Sequence, residues 1–156
     1  MQPLHTVHTG YADVLNLVEQ SIKAEQVFCS IVTQMKYLPQ FKGQTALNIV
    51  HRENYETSYH RNTAAGNLER LVTGESDELL ILMTVECFIE TRQHDKIAGT
   101  SLGNIVVTSS EDQQWIIVAT EWHKQRRQYL KSAARVLRTL IGPELWNKGA
   151  SMVEGA

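Results

Sequence analysis

The densest set of side chains with catalytic or metal-binding chemistry lies in the segment HRENYETSYHR, residues 51–61, and comprises His51, Glu53, Glu56, Tyr59 and His60. Histidine and glutamate are the residue types that general acid–base catalysis and metal binding require. On a helix, Glu53, Glu56 and His60 share one face, but the spacing is not HExxH, which needs two histidines four residues apart. The bridged-carboxylate metal centre of helical bundles needs Glu-x-x-His, and no glutamate of this chain precedes a histidine by three residues. We therefore predict no metal site and no cofactor, and we interpret the segment as a polar connection.

A second pair of acidic residues lies in the segment MTVECFIETR, residues 83–92, where alternation with period two predicts a strand. On a strand, Glu86 and Glu90 lie on one face and about 13 Å apart, which is too far for a paired-carboxylate site. Either carboxylate can still face a pocket together with His60 or His94. The candidate catalytic residues are therefore His60, Glu86 and Glu90.

Positive charge is concentrated in the segment EWHKQRRQYLKSAARVLRTLIGP, residues 121–143, which holds six of the fifteen Lys and Arg residues. Residues 124–156 carry +5 from seven basic and two acidic residues, whereas residues 1–123 carry −7 from eight basic and fifteen acidic residues. The pattern predicts an amphipathic helix over 123–141 that ends at Gly142-Pro143. An arc of about 80° on this helix holds Lys124, Arg127, Lys131, Arg135 and Arg138. Arg126 falls on the apolar face, where it must extend to solvent, pair with an acid or mark a second contact surface.

The basic face has three interpretations. It can be a solvated surface, in which Arg135 and Arg138 are favoured by the negative end of the helix dipole. It can bind phosphates, and each such contact would release counterions and make the affinity depend on salt. It can also bind acidic protein groups, within the chain, across a dimer or on another protein. Tyr129 lies on the opposite face of the helix and no aromatic side chain lies within the arc of the five cations, which disfavours single-stranded nucleic acid.

The overall composition fits one globular domain over residues 1–156, with flexible ends expected at 1–10 and 147–156. The longest unbroken apolar run is Leu79–Met83, whereas a membrane span needs about 20 apolar residues, so we expect no membrane partner. The chain does not begin with a secretory pattern, and its two isolated cysteines do not form a disulfide framework. The sequence therefore predicts a cytoplasmic setting, and a homodimer is a further candidate.

The remaining elements follow from the spacing of apolar residues. Helical spacing runs over residues 11–36, although Glu25 interrupts the apolar stripe and allows a break into two helices. The other predicted elements are strands at 46–52, 83–92 and 104–110 and a short helix at 64–72. The strand at 83–92 competes with a helix, because Ser76-Asp77-Glu78 would suit a helix start. His94-Asp95 is assigned to a surface turn.

The segment EDQQWIIVATEW, residues 111–122, has two interpretations. Its bulky and β-branched residues from Trp115 to Val118 favour a buried strand. Ser110 with Gln113 resembles a capping box, however, and the apolar phase continues into the basic helix, which would make one helix from about 111 to 141. We prefer a strand followed by a helix, and the sequence leaves the two alternatives open.

The order of helices, strands and a final helix, together with EDQQWIIVATEW as a polar turn before a last strand, resembles the nuclear-transport-factor-two-like cone superfamily over about residues 11–122. The resemblance implies an α+β fold in which N-terminal helices pack on a curved, mainly antiparallel sheet, here followed by the basic helix. It also implies a pocket inside the cone and frequent dimers, in a superfamily of isomerases, dehydratases and binding scaffolds. No catalytic motif of the superfamily matches, so it assigns no residue a role. The alternative fold is an all-α bundle.

These observations lead to two functional hypotheses. The first is a small interaction module, without enzymatic activity, whose basic helix engages an acidic protein surface or a nucleic acid. Its contacts would be Lys124, Arg127, Lys131, Arg135 and Arg138. The alternative is a cone-type enzyme or ligand-binding protein that uses His60 with Glu86 or Glu90 as acid and base.

Overall fold

The computed structural model describes the backbone of residues 4–75 and 77–154 and the side chains of residues 10–75 and 77–153. Within these ranges the chain is helical and contains no β-strand. The elements are α1 (Leu4–Tyr37), a short 3-10 helix (Pro39–Phe41), α2 (Thr45–Val72), α3 (Glu78–Gly103), α4 (Ser110–Ile141) and α5 (Pro143–Glu154).

The predicted α+β fold and the resemblance to the cone superfamily are wrong, because the described residues form no sheet. The segments predicted as strands at 46–52 and 83–92 lie inside α2 and α3. Of the segment 104–110, residues 104–109 connect α3 to α4 and Ser110 begins α4, and residues 111–122 continue this helix. The all-α alternative describes the molecule, and so does the alternative of a single helix over about 111–141.

Residues 83–92 were predicted as a strand, and the physical reason for this error is that α3 packs on α2, α4 and α5. A helix that contacts neighbours around most of its circumference carries apolar residues on every side, and its helical period disappears from the sequence. Its start nevertheless follows the capping rule, because the Asp77 side chain accepts a hydrogen bond from the backbone N–H of Leu79. In α4 the cap is Ser109, whose hydroxyl accepts from the N–H of Asp112 at 3.1 Å.

Four of the helices form a bundle in which chain neighbours run antiparallel. Glu25 of α1 contacts Arg126 of α4, and Gly10 near the start of α1 lies against Leu140 near the end of α4. Short connections join successive helices, as expected for an up-down-up-down bundle. The short helix α5 folds back and packs mainly on α3.

The core consists of two apolar clusters at opposite ends of the bundle. The first joins the start of α1, the end of α2, the start of α3 and the end of α4, and it includes Val14, Leu68, Phe88, Leu137 and Trp146. The second joins the other ends of the same helices and includes Phe28, Met35, Phe41, Leu47 and Leu102. Between the two clusters lies a layer of buried charged residues, which fixes how the helices are rotated about their axes.

Two glycines provide a matched test of how α5 is held. A Cβ atom at Gly149 would lie 2.6 Å from Val85 Cβ and 3.2 Å from the carbonyl oxygen of Leu82, so Gly149→Ala is expected to destabilise the fold by about 1–3 kcal/mol. Gly66 in α2 has open space around it, and Gly66→Ala is expected to stabilise the fold by about 0.5–1 kcal/mol. Urea unfolding followed by circular dichroism measures both changes. Equal effects of the two substitutions would contradict the close approach of α5 to α3.

The structure describes part of the two terminal stretches, 1–10 and 147–156, that were predicted to be flexible. Residues 1–3 and 155–156 lie outside the described residues, whereas α1 begins at Leu4 and α5 extends to Glu154. The flexibility of the two terminal stretches stays a prediction.

Candidate functional site

The buried charged layer, called here the ionic layer, takes residues from all four bundle helices: Glu25 (α1), Arg61 (α2), Asp95 (α3), and His123 and Arg126 (α4). Arg126 is fully buried. Its Nε donates to Asp95 Oδ1 at 2.7 Å, and its Nη1 donates to Glu25 Oε1 at 3.0 Å. The guanidinium also lies over the ring of Phe28, 4.9 Å from the ring centre. Of the three alternatives for Arg126, pairing with an acid is therefore the one observed.

The ionic layer is completed by two further contacts. Arg61 Nη1 lies 2.5 Å from Glu25 Oε2, and His123 Nε2 donates to the backbone carbonyl of Asp95 at 3.0 Å. Glu25 thus does not break α1 into two helices, because its charge is compensated inside the bundle. Since Arg126 points to the bundle interior, the residues on the other side of α4 point to solvent. The ionic layer therefore orients the basic face of α4.

Asp95 links the ionic layer to pH. Burial alone would raise the pKa of Asp95, but the hydrogen bonds from His123 and Arg126 and the positive charge of Arg126 lower it below its ordinary value of 3.8. A depressed pKa contributes stability above the unfolded-state pKa, and this contribution is lost as the pH falls through the folded-state pKa. We expect the free energy of unfolding to fall as the pH is lowered below about 4. In Asp95→Asn, the contribution of Asp95 to this pH dependence should be absent. Urea midpoints measured between about pH 5 and pH 2 test this. Equal slopes for the two proteins would contradict it.

Between α3 and α4 lies a concave surface, called here the basic groove. It consists of two adjoining hollows of about 240 and 270 Å³, which share Ile89, Arg92 and Lys131. Its cations come from both helices and are Arg92, Lys96, Arg127, Lys131, Arg135 and Arg138. Four of the five basic residues singled out on α4 therefore face one groove. The fifth, Lys124, is exposed but does not line either hollow.

The six cations of the basic groove form no ion pairs among the described side chains, and Asp95, which also lines the groove, bonds Arg126 of the ionic layer instead. Elsewhere on the surface, Arg70 pairs with Glu75 and Lys148 pairs with Glu78. Among the described side chains, no groove cation has an acidic partner within ion-pair distance. Six exposed like charges around one concavity create a local positive potential that attracts anions. Arg92 and Lys96 were missed by the sequence analysis, because α3 was assigned to a strand and a turn.

The groove exists because the helices of the bundle pack unequally. Helix α1 packs chiefly on α4 and α2 chiefly on α3, whereas α3 and α4 approach each other less closely. Leu130 and Ile89 form an apolar floor between the basic side chains. At one end, α5 places the buried Trp146 against the second hollow. The arrangement offers positive charge at the rim and apolar atoms at the base.

A second cluster lies between α2 and α3 and is called here the histidine–glutamate cluster; its residues are Glu53, Glu56, His60, Glu90 and His94. His60 Nε2 lies 3.8 Å from a carboxylate oxygen of Glu56 and 3.9 Å from one of Glu90. The structure therefore brings His60 and Glu90 together, as the alternative hypothesis required. Glu86 lies one helical turn before Glu90 but makes no ion pair among the described residues. His94, assigned to a turn from the sequence, lies within α3 and faces this cluster.

The two thiols do not add a nucleophile to either site. Both cysteines are free and half-buried. Burial, reinforced by neighbouring carboxylates, raises the pKa of Cys29 and that of Cys87 to about 11. The thiolate is the reactive form, so neither side chain is activated at neutral pH.

Comparison with known proteins gives no assignment: no protein-family model, curated protein or solved structure matches the chain significantly. Within residues 4–75 and 77–154, none of the helices combines the length and the apolar composition that crossing a membrane requires. The basic groove and the histidine–glutamate cluster are therefore the features of the molecule from which a function can be inferred.

Proposed function

We propose that the protein is a binding module that holds an acidic segment of a partner protein in the basic groove. The observation that carries the proposal is that cations from two helices line one concavity without acidic partners among the described side chains. Mutual repulsion of these charges is relieved when an anion binds between them. Arginine adds two-pronged hydrogen bonding to carboxylates, which gives geometric specificity as well as affinity.

The shape and composition of the groove favour an acidic protein segment over nucleic acid. Its α4 side extends from Arg127 to Arg138, which is about 16 Å along a helix axis. That length accommodates about three turns of a helix or about five residues of an extended strand. At the base, the partly buried Ile89 can contact an apolar side chain of a peptide, whereas a phosphate backbone offers none. No aromatic residue that is exposed to stack on a base lines the described groove.

The proposal is tested by fluorescence anisotropy with a labelled peptide of glutamates and spaced leucines. We expect binding that weakens as salt rises, because exposed charge pairs are screened. A matched peptide with glutamine in place of glutamate should bind much more weakly. Equal binding of the two peptides, or no binding of the acidic one at low salt, would overturn the proposal.

Labelled single- and double-stranded oligonucleotides provide the competing arm of this experiment. An oligonucleotide that binds more tightly than the acidic peptide, with an affinity that falls steeply with salt, would replace the acidic protein by a nucleic acid as the partner. Weak or absent oligonucleotide binding beside peptide binding supports the proposal.

A further inference from the structure

The same five-residue pattern occurs on both helices that face the histidine–glutamate cluster. Helix α2 carries ETSYH at residues 56–60, and α3 carries ETRQH at residues 90–94. In each pattern a glutamate and a histidine are four residues apart, so on a helix both side chains lie on one face. Because α2 and α3 are antiparallel neighbours, the two Glu–His pairs are brought together in approximate two-fold fashion. The search for Glu-x-x-His missed this pattern, since the spacing here is one residue longer.

The ligand atoms of the cluster converge. One ligand atom each from Glu56, His60 and His94 lies within 4.8 Å of the other two. The rings of His60 and His94 are stacked nearly parallel, with their centres 5.4 Å apart. Glu90 lies 3.9 Å from Nε2 of both imidazoles. Ligands of a tetrahedral zinc ion are about 3.4 Å apart, so the present separations of up to 4.8 Å would shorten by up to about 1.4 Å on binding. The two parallel imidazole rings would also rotate, so that the lone pairs in their planes point at one ion.

A buried carboxylate orients the imidazole of His94. Nδ1 of this ring is hydrogen-bonded to Oε2 of Glu53, whose side chain is only 7% exposed. When Nδ1 carries the proton, Nε2 keeps a free lone pair, and this nitrogen is the one that faces Glu90. A carboxylate that holds the outer nitrogen of a ligating histidine is the usual second partner in metal sites.

The negative charge of the cluster also favours binding of a cation. Among the described residues, the only arginine or lysine partner of its three carboxylates is Arg52, which bonds Glu53. Glu56 and Glu90 therefore have no arginine or lysine partner. One dication between the rings and these carboxylates would balance their two negative charges.

We propose that Glu56, His60 and His94, with Glu90 as an additional ligand, bind a divalent first-row transition-metal ion. Mixed imidazole and carboxylate donors suit zinc, iron or cobalt better than magnesium or calcium, which prefer oxygen ligands alone. The Glu56 side chain is 40% exposed and that of His60 is 21% exposed, so water can reach the ion. Glu53 is a positioning residue, because it acts on the metal through His94.

The test is zinc titration of the whole chain by calorimetry, with cobalt absorption spectra as a second readout of imidazole ligation. We expect one ion per chain, and we expect His60→Gln and His94→Gln each to weaken zinc affinity by more than the 10–100-fold that is typical for loss of an outer partner. Glu53→Gln should fall within about that 10–100-fold range. Glu56→Gln tests the third ligand in case a histidine variant is poorly folded.

The matched control is His51→Gln, because His51 is an exposed histidine on the same helix outside the cluster. It should leave zinc affinity unchanged, and circular dichroism of each metal-free variant should match that of the parent protein. The proposal would be overturned if His60→Gln and His94→Gln bound zinc as tightly as the parent protein. It would also be overturned if the parent chain bound neither zinc nor cobalt. This result is independent of peptide binding in the basic groove, which lies between α3 and α4.

Discussion

Replacing Arg126 by alanine is expected to lower the free energy of unfolding by about 3–5 kcal/mol. The guanidinium is fully buried and hydrogen-bonds both Asp95 and Glu25, so its removal leaves two carboxylates in the bundle interior with less positive charge. The substitution also removes the contact with the ring of Phe28 and opens a cavity. Urea unfolding at neutral pH, followed by circular dichroism, measures the change.

Three further variants separate the charge effect from the loss of volume. Arg127→Ala, one position along the same helix, removes an exposed arginine and is expected to change the stability by less than about 0.5 kcal/mol. Arg126→Met restores much of the volume but leaves Asp95 with His123 as its remaining partner and without its arginine. Adding Asp95→Asn should recover part of the lost stability, because the pair Glu25–Arg61 remains intact. If the double variant is no more stable than Arg126→Met alone, charge imbalance is not the cause.

The ionic layer shows how far the sequence could specify the interior of this bundle. Glu25 and Arg126 were both recognised as charged residues on apolar helix faces, and pairing with an acid was among the alternatives for Arg126. The sequence could not identify the partner, because the two residues are 101 positions apart and the chain has 17 acidic residues. Only the antiparallel packing of α1 on α4 makes them neighbours.

The fold class was wrong for reasons that lie in two particular segments. Residues 83–92 alternate like a strand because α3 is buried on several sides, and the sequence then carries no helical stripe. Residues 111–122 are rich in β-branched side chains, but Ser109 caps the helix and acidic residues in its first turn favour the positive end of the dipole. The capping signal correctly predicted a helix, although it named Ser110 as the cap instead of Ser109. The β-propensity was misleading, because propensity depends on the packing around it.

The sequence predicted some residues of each candidate site and not others. All five basic residues named on α4 are exposed, as a helical projection suggested, but Arg92 and Lys96 belong to the groove only because α3 is a helix beside α4. The sequence contains the two Glu–His pairs as a repeated ETxxH pattern. It does not predict that the two pairs lie close together, because this requires α2 and α3 to be antiparallel helices in this register.

Reversing two charges in the basic groove gives the largest expected effect on binding. In Lys131→Glu with Arg135→Glu, two attractive contacts to an acidic peptide become repulsive. A hydrogen bond to a charged group contributes about 1.5–3 kcal/mol, so we expect the affinity for the labelled glutamate–leucine peptide to fall about 100-fold or more. Both side chains are exposed, and the fold should persist. Anisotropy titration at fixed low salt measures the loss.

The matched control is Lys23→Glu with Lys36→Glu, which makes the same change in net charge at exposed positions of α1 outside the groove. If the groove is the binding surface, this control should lose only the small, salt-sensitive part of the affinity that comes from the overall charge of the protein. Similar losses in the two double variants would mean that net charge, rather than the groove between α3 and α4, attracts the peptide. A loss that is much larger in the groove variant than in the control at the same low salt would locate the peptide in the groove, because both variants change the net charge equally.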